Sequence, residues 1–173
     1  MNILAPQLRD AHWLDLCSGS GVMGCEALQR GAKRVVAVES NGPAAAICRS
    51  NLKATAAGQS SNPKVVVVQR DLVRWLQQGR PTDDPGFDLV YFDPPYASGL
   101  YGAGLEALVQ GLWLRPEALV LYEHADKQKP ATPQGWRVID ERRYGSSGVL
   151  ILSPPEHCHG GTDSMQQQIN QGG

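Results

Sequence analysis

Asp93-Pro94-Pro95-Tyr96 follows directly on the apolar run Leu89-Val90-Tyr91-Phe92. Proline lacks an N–H and fixes φ near −65°, so a strand that reaches Pro94 cannot go on pairing inside a sheet. The tetrapeptide leaves a carboxylate, a free carbonyl and an aromatic ring at the carboxyl end of a strand, where an open α/β sheet binds ligands. Those groups suit an exocyclic amine on a base. Asp93 and the Pro94 carbonyl accept from its N–H groups and aim its lone pair, while Tyr96 stacks on a base taken out of its helix. No strong base is needed, because the nitrogen becomes acidic as it is alkylated; the proton leaves afterwards to Asp93 or water. A plain Pro-rich turn would explain the tetrapeptide alone, but not the acids and glycines elsewhere in the chain.

The segment LDLCSGSGVMG holds Gly19-Ser20-Gly21-Val22-Met23-Gly24, a G-x-G-x-x-G pattern between a strand and a helix. Glu39 closes the next strand, 18 positions beyond Gly21, near the spacing at which a carboxylate meets a ribose hydroxyl. Glycine permits a tight turn and close approach of a ligand to the backbone. Two cofactor classes use such a loop, NAD and S-adenosylmethionine. The second carries an ammonium that wants a carboxylate near the loop, and Asp15 at the end of the first strand supplies one. Asp71 is placed to accept from an adenine amino group while Leu72 donates its backbone N–H to a ring nitrogen. An N-cap role for Asp71 competes with that reading and is compatible with it.

These residues need a scaffold, and the apolar pattern provides it. Strand-length runs at His12–Cys17, Arg34–Glu39, Lys64–Gln69, Phe87–Phe92 and Ala118–Glu123 alternate with helical segments at Val22–Arg30, Pro43–Ala56, Leu72–Gln78 and Ala103–Leu112. Two further strands, Trp136–Arg143 and Val149–Leu152, have only Tyr144–Gly148 between them, too short for a helical crossover, so they form an antiparallel hairpin. This predicts an α/β, Rossmann-like, seven-stranded sheet, mostly parallel, over residues 1–153. Residues 154–173, rich in Pro, Gly and Gln, read as a disordered tail.

In 173 residues, 42% hydrophobic and 19% charged, one domain with a proper core is expected. No apolar run has the ~18 residues of a membrane span, and no secretory signal is legible, so a cytoplasmic protein is expected. Cys17, Cys25, Cys48 and Cys158 show no C-x-x-C pairing, which favours buried thiols over disulfides or zinc. His157-Cys158-His159 is the one stretch with metal-ligand types, in an unstructured context, and no metal is assigned. A net charge of −1 argues against indiscriminate nucleic-acid binding. Arg142, Arg143, Lys127 and Lys129 are candidate phosphate contacts, each more simply read as solvated surface charge.

LDLCSGSGVMGCEALQRGAKRVVAVES, FDLVYFDPPYASGLY and WLRPEALVLYEH together resemble the RsmD family of bacterial small-subunit ribosomal RNA guanine-N2 methyltransferases, over about Met1 to Leu152. The resemblance implies a class I methyltransferase fold, S-adenosylmethionine as donor, a 16S rRNA substrate in the small subunit or its assembly intermediate, and a monomer. Matching positions are Asp15, Ser18, Gly19 and Gly21 for the methionine half, Glu39 for the ribose, Asp71 and Leu72 for the adenine, and Asp93, Pro94, Pro95 and Tyr96 for catalysis. Family members usually carry a basic segment ahead of the part matching Met1; either the start of this chain is placed too late, or the chain is a shortened form that binds cofactor with little RNA activity. Methylation of an adenine N6 is an alternative reaction, since D-P-P-Y serves both amines.

Overall fold

The computed structural model describes residues 5–95, 99–125 and 129–156. A short helix α1 (Ala5–Leu8) precedes an alternation of β1 (His12–Leu16), α2 (Val22–Gln29), β2 (Arg34–Glu39), α3 (Gly42–Ala57), β3 (Lys64–Gln69), α4 (Leu72–Leu76), β4 (Phe87–Phe92), α5 (Leu100–Gln110) and β5 (Leu114–Ala125). The hairpin β6 (Arg137–Tyr144) and β7 (Ser147–Ser153) completes it. The sheet order is β3-β2-β1-β4-β5-β7-β6, parallel through β5 and antiparallel beyond it. Chain order reverses between β1 and β4, and the carboxyl ends of those two strands flank the resulting crevice.

Strands β1, β2 and β4 are almost continuously buried, as expected where helices cover both faces of a parallel sheet. One face carries Leu14, Leu16, Val90, Phe92, Val120 and Tyr122 against α4 and α5. The other carries Trp13, Val35, Ala37, Leu89, Tyr91 and Leu121 against α1, α2 and α3. Asn41 caps α3 by accepting from the Ala44 N–H at 3.0 Å, with Pro43 in the first turn. Among the described residues no helix is long and apolar enough to cross a membrane.

All seven expected strands form, with shifted ends. β5 begins at Leu114, ahead of the expected Ala118: a register break between Phe87 and Leu89 absorbs Arg115–Glu117, with Glu117 at φ 63°, so Pro116 sits in an irregularity of the strand and does not end it. α5 starts at Leu100, after Gly99 in a left-handed conformation, and stops at Gly111, where a Cβ would lie 2.6 Å from the Leu76 carbonyl. α4 ends at Leu76, two residues short of expectation. Pro154 is buried and Pro155 packs on Gly135. His157, Cys158, His159 and the rest of the expected tail lie outside the described residues.

Candidate active site

The first strand ends on Leu16, and the chain leaves it through Cys17 at φ 60°, Gly19 at φ 52° and Gly21 at φ 79° before α2 begins at Val22. Three left-handed residues in five turn the backbone sharply over the carboxyl end of the sheet. The Ser18 N–H donates to the Val38 carbonyl (3.1 Å) and the Gly21 N–H to the Ser18 carbonyl (2.8 Å), closing the turn on β2. The two outer glycines of the motif serve different ends. A Cβ on Gly21 would meet Cys48 Sγ at 2.7 Å and one on Gly24 would meet Leu52 Cδ2 at 2.9 Å, so both are small because α2 packs closely on α3. A Cβ on Gly19 would meet nothing within 4 Å. Gly19 is thus a bare backbone surface facing open space, the cradle a cofactor needs.

Four carboxylates stand at this end of the sheet. Glu39 accepts from the Gly19 N–H with Oε2 and from the Asn41 N–H with Oε1, both at 2.8 Å, and so ties the loop to the start of α3. Asp15 is fully buried, and its Oδ2 accepts from the Gly24 N–H at 3.1 Å. Asp71 caps α4 by accepting from the Arg74 N–H at 2.9 Å. The Asp93 N–H donates to the Leu16 carbonyl at 3.3 Å, carrying the β1–β4 ladder one step past the strand ends. Pro94 is buried, Pro95 exposed, and Tyr96 lies outside the described residues.

The acids feel one another. Burial pushes the Asp15 carboxyl up to about 7 against the Gly24 hydrogen bond, and the charges of Asp93 and Glu39 push the same way. Burial, then Glu123, raises Asp93 to about 6. Cys17 stands among them all: burial and then Glu39, Asp93, Asp15 and Asp71 lift its thiol to about 12. The structure therefore brings Asp15, Glu39, Asp71 and Asp93, spread over 79 residues of sequence, around one thiol. Such a ring favours a cation and repels a pyrophosphate, and with the bare Gly19 it fits S-adenosylmethionine, whose sulfonium and ammonium are both positive, better than NAD.

Sequence reading missed two participants. Cys17 was seen only as a buried thiol, since neither its left-handed backbone nor the acids around it are local properties. Glu123 accepts from the Tyr91 hydroxyl and adds its charge to Asp93. Its signal was an acid closing an apolar strand, the pattern already used for Glu39 and Asp93. Among the candidate phosphate contacts, Arg142 pairs with Asp140 (2.9 Å) and Lys129 with Glu141. Arg143 is also engaged, and Lys127 lies outside the described residues.

The family model described as conserved hypothetical protein 95 matches residues 1–153. Ribosomal RNA small subunit methyltransferase D of Haemophilus influenzae is 33% identical over 145 residues, 83% of this chain and 72% of that protein. Its Escherichia coli K12 namesake is 32% identical, over 83% of this chain and 69% of its own. A solved structure, a putative methylase from Haemophilus influenzae, superposes with a TM-score of 0.74 at 30% identity, covering 90% of this chain and 93% of that one. The loop, the acids at the strand ends and the D-P-P motif thus lie within a match that spans the whole described sheet, and the chain belongs to the RsmD family of methyltransferases.

Proposed function

We propose that this protein methylates the exocyclic N2 amine of a guanine in small-subunit ribosomal RNA with S-adenosylmethionine as donor, acting as a cytoplasmic monomer. The observation that carries the reading is the set of four carboxylates, Asp93 among them, gathered about Cys17 in the loop that bares the Gly19 backbone. Support for the substrate comes from the names of the relatives, which are ribosomal RNA small subunit methyltransferases.

Asp15 and the Ser18–Gly21 loop would hold the methionine half, Glu39 the ribose, and Asp71 with the Leu72 N–H the adenine. Bound there, S-adenosylmethionine supplies an electrophilic methyl group. The chain's own work is positional. Asp93 and the Pro94 carbonyl accept from the two N–H groups of the amine, turning its lone pair toward the cofactor side of the β1–β4 crevice. Asp93, held near 6 by burial and Glu123, is a carboxylate at neutral pH and sits where it can take the proton that the alkylated amine sheds.

The test is transfer of labelled methyl from S-adenosylmethionine to unmodified small-subunit rRNA, followed by nucleoside analysis. N2-methylguanosine is the expected product. N6-methyladenosine would overturn the choice of amine, and NAD binding without methyl transfer would overturn the reading as a whole.

A further inference from the structure

Resting on the RNA-methylation reading, we propose that the β3 edge of the sheet, with the adjoining face of α3, is a phosphate-binding track that guides RNA to the site. From Ser40 to Arg70 the chain carries Arg49, Lys53, Lys64 and Arg70 and not one Asp or Glu, in a protein whose net charge is −1. All four are exposed. None has an ion-pair partner among the described residues, whereas Arg30, Arg34, Arg115, Lys129 and Arg142 are each paired. Arg9, Arg74 and Arg137 are exposed without ion pairs as well, but the stretch from Ser40 to Arg70 gathers four such cations with no acid among them, and the residues expected from sequence to meet phosphate do not belong to it.

Two clefts join them. Arg49 and Lys53, one turn apart on α3, border a groove of about 430 Å³ floored by Val65 and Val67. Asn62 is shared with a second cleft of about 560 Å³ that holds Lys33, just ahead of β2, and Lys64 at the start of β3. The acids of that second cleft are Asp83, which is exposed, and Asp84, which is neutralised by Arg34. Among the described residues β3 pairs only with β2. Because the Lys64 N–H donates to the Lys33 carbonyl, the alternation of the ladder turns the backbone N–H groups of Val65, Val67 and Gln69 to the open edge, where they are donors. From Lys64 to Gln69 the edge is about 17 Å long, enough to face several phosphates of a strand. It runs from the clefts to Arg70, next to Asp71 on the rim of the active site.

A polyanion is favoured over an acidic peptide because the cations extend past the groove, on one side to Lys33 and Lys64 and on the other to Arg70. A peptide strand added to β3 would pair with the edge backbone and leave Lys33 in the second cleft without a role.

The test measures binding of an unmodified small-subunit rRNA fragment across a salt series, with calorimetric S-adenosylmethionine binding and methyl transfer in parallel. It compares wild type, Arg49→Glu/Lys53→Glu, Lys64→Glu and, on the opposite edge of the sheet, Arg142→Glu/Arg143→Glu. The α3 pair is expected to lower RNA affinity at least about ten-fold at low salt and to flatten the slope of log K against log salt by roughly 1.4 to 1.8, two contacts at ~0.7–0.9 each. Cofactor affinity should not change, which also shows that the variants fold. Equal losses from both edges, or losses from β6 alone, would overturn the track. So would unchanged RNA binding by the β3-edge variants together with lost retention of an acidic peptide. A wild type that binds cofactor but neither binds nor methylates RNA would instead refute the functional reading beneath it.

Discussion

Asp93 and Asp15 are acids of the same kind with separable duties. Asp93→Ala is expected to lower kcat by about a hundred-fold or more, the scale of losing one charge-positioning contact in a transition state, while S-adenosylmethionine affinity stays within a few-fold. Retention of more than about a tenth of the activity would remove Asp93 from the chemistry. In the wild type, transfer at saturating cofactor should fall as the pH drops below about 6, where Asp93 gains its proton. Asp15 titrates near 7 in the fold against 3.8 when exposed. The folded state thus binds more protons than the unfolded chain between those values, and stability falls as pH rises through them. Asp15→Asn, which keeps an acceptor for Gly24, should flatten that slope in urea titrations at several pH values. Its magnitude is on the order of a few kcal/mol. A bound cation reverses the preference: cofactor binding near pH 6 should release protons, read as a dependence of the calorimetric heat on buffer ionisation. These groups were legible as acids at strand ends, but their coupling was not, because it depends on the burial and separations that only the folded sheet sets.

Among the elements, the glycine loop separates ligand access from packing. Gly21→Ala forces a Cβ to 2.7 Å from Cys48 Sγ at φ 79° and should destabilise the protein by about 1–3 kcal/mol, measured by denaturant midpoint. Gly19→Ala meets open space at φ 52°; it should cost about 1 kcal/mol of stability yet weaken S-adenosylmethionine binding more than Gly21→Ala does. If the two variants lost affinity in proportion to stability, Gly19 would be a structural turn and no more. The sequence placed this loop correctly because glycines and prolines punctuate strands locally. It failed at Pro116, which reads as a strand breaker but is accommodated by a register break against β4 that no local signal announces.

At the scale of the molecule, the sheet has a protected middle and two open margins, β3 and β6. Native-state hydrogen exchange should find the amides of Leu14, Val90 and Val120 opening only with global unfolding, and those of Val66 and Arg142 at lower free energy. Uniform protection across the sheet would contradict this. The hairpin was legible from its short turn, but its insertion was not: neighbours in sequence predict β6 beside β5, whereas β7 takes that place. That threading sets an order of assembly during synthesis. β5 emerges from the ribosome long before its antiparallel partner exists, and β6 follows with no place to dock, since its only sheet neighbour is the strand made last. Until Ser147–Ser153 has been translated, the margin of β5 is bare on a nascent chain, so a message truncated after the codon for Tyr144 would lose two strands of the sheet rather than one.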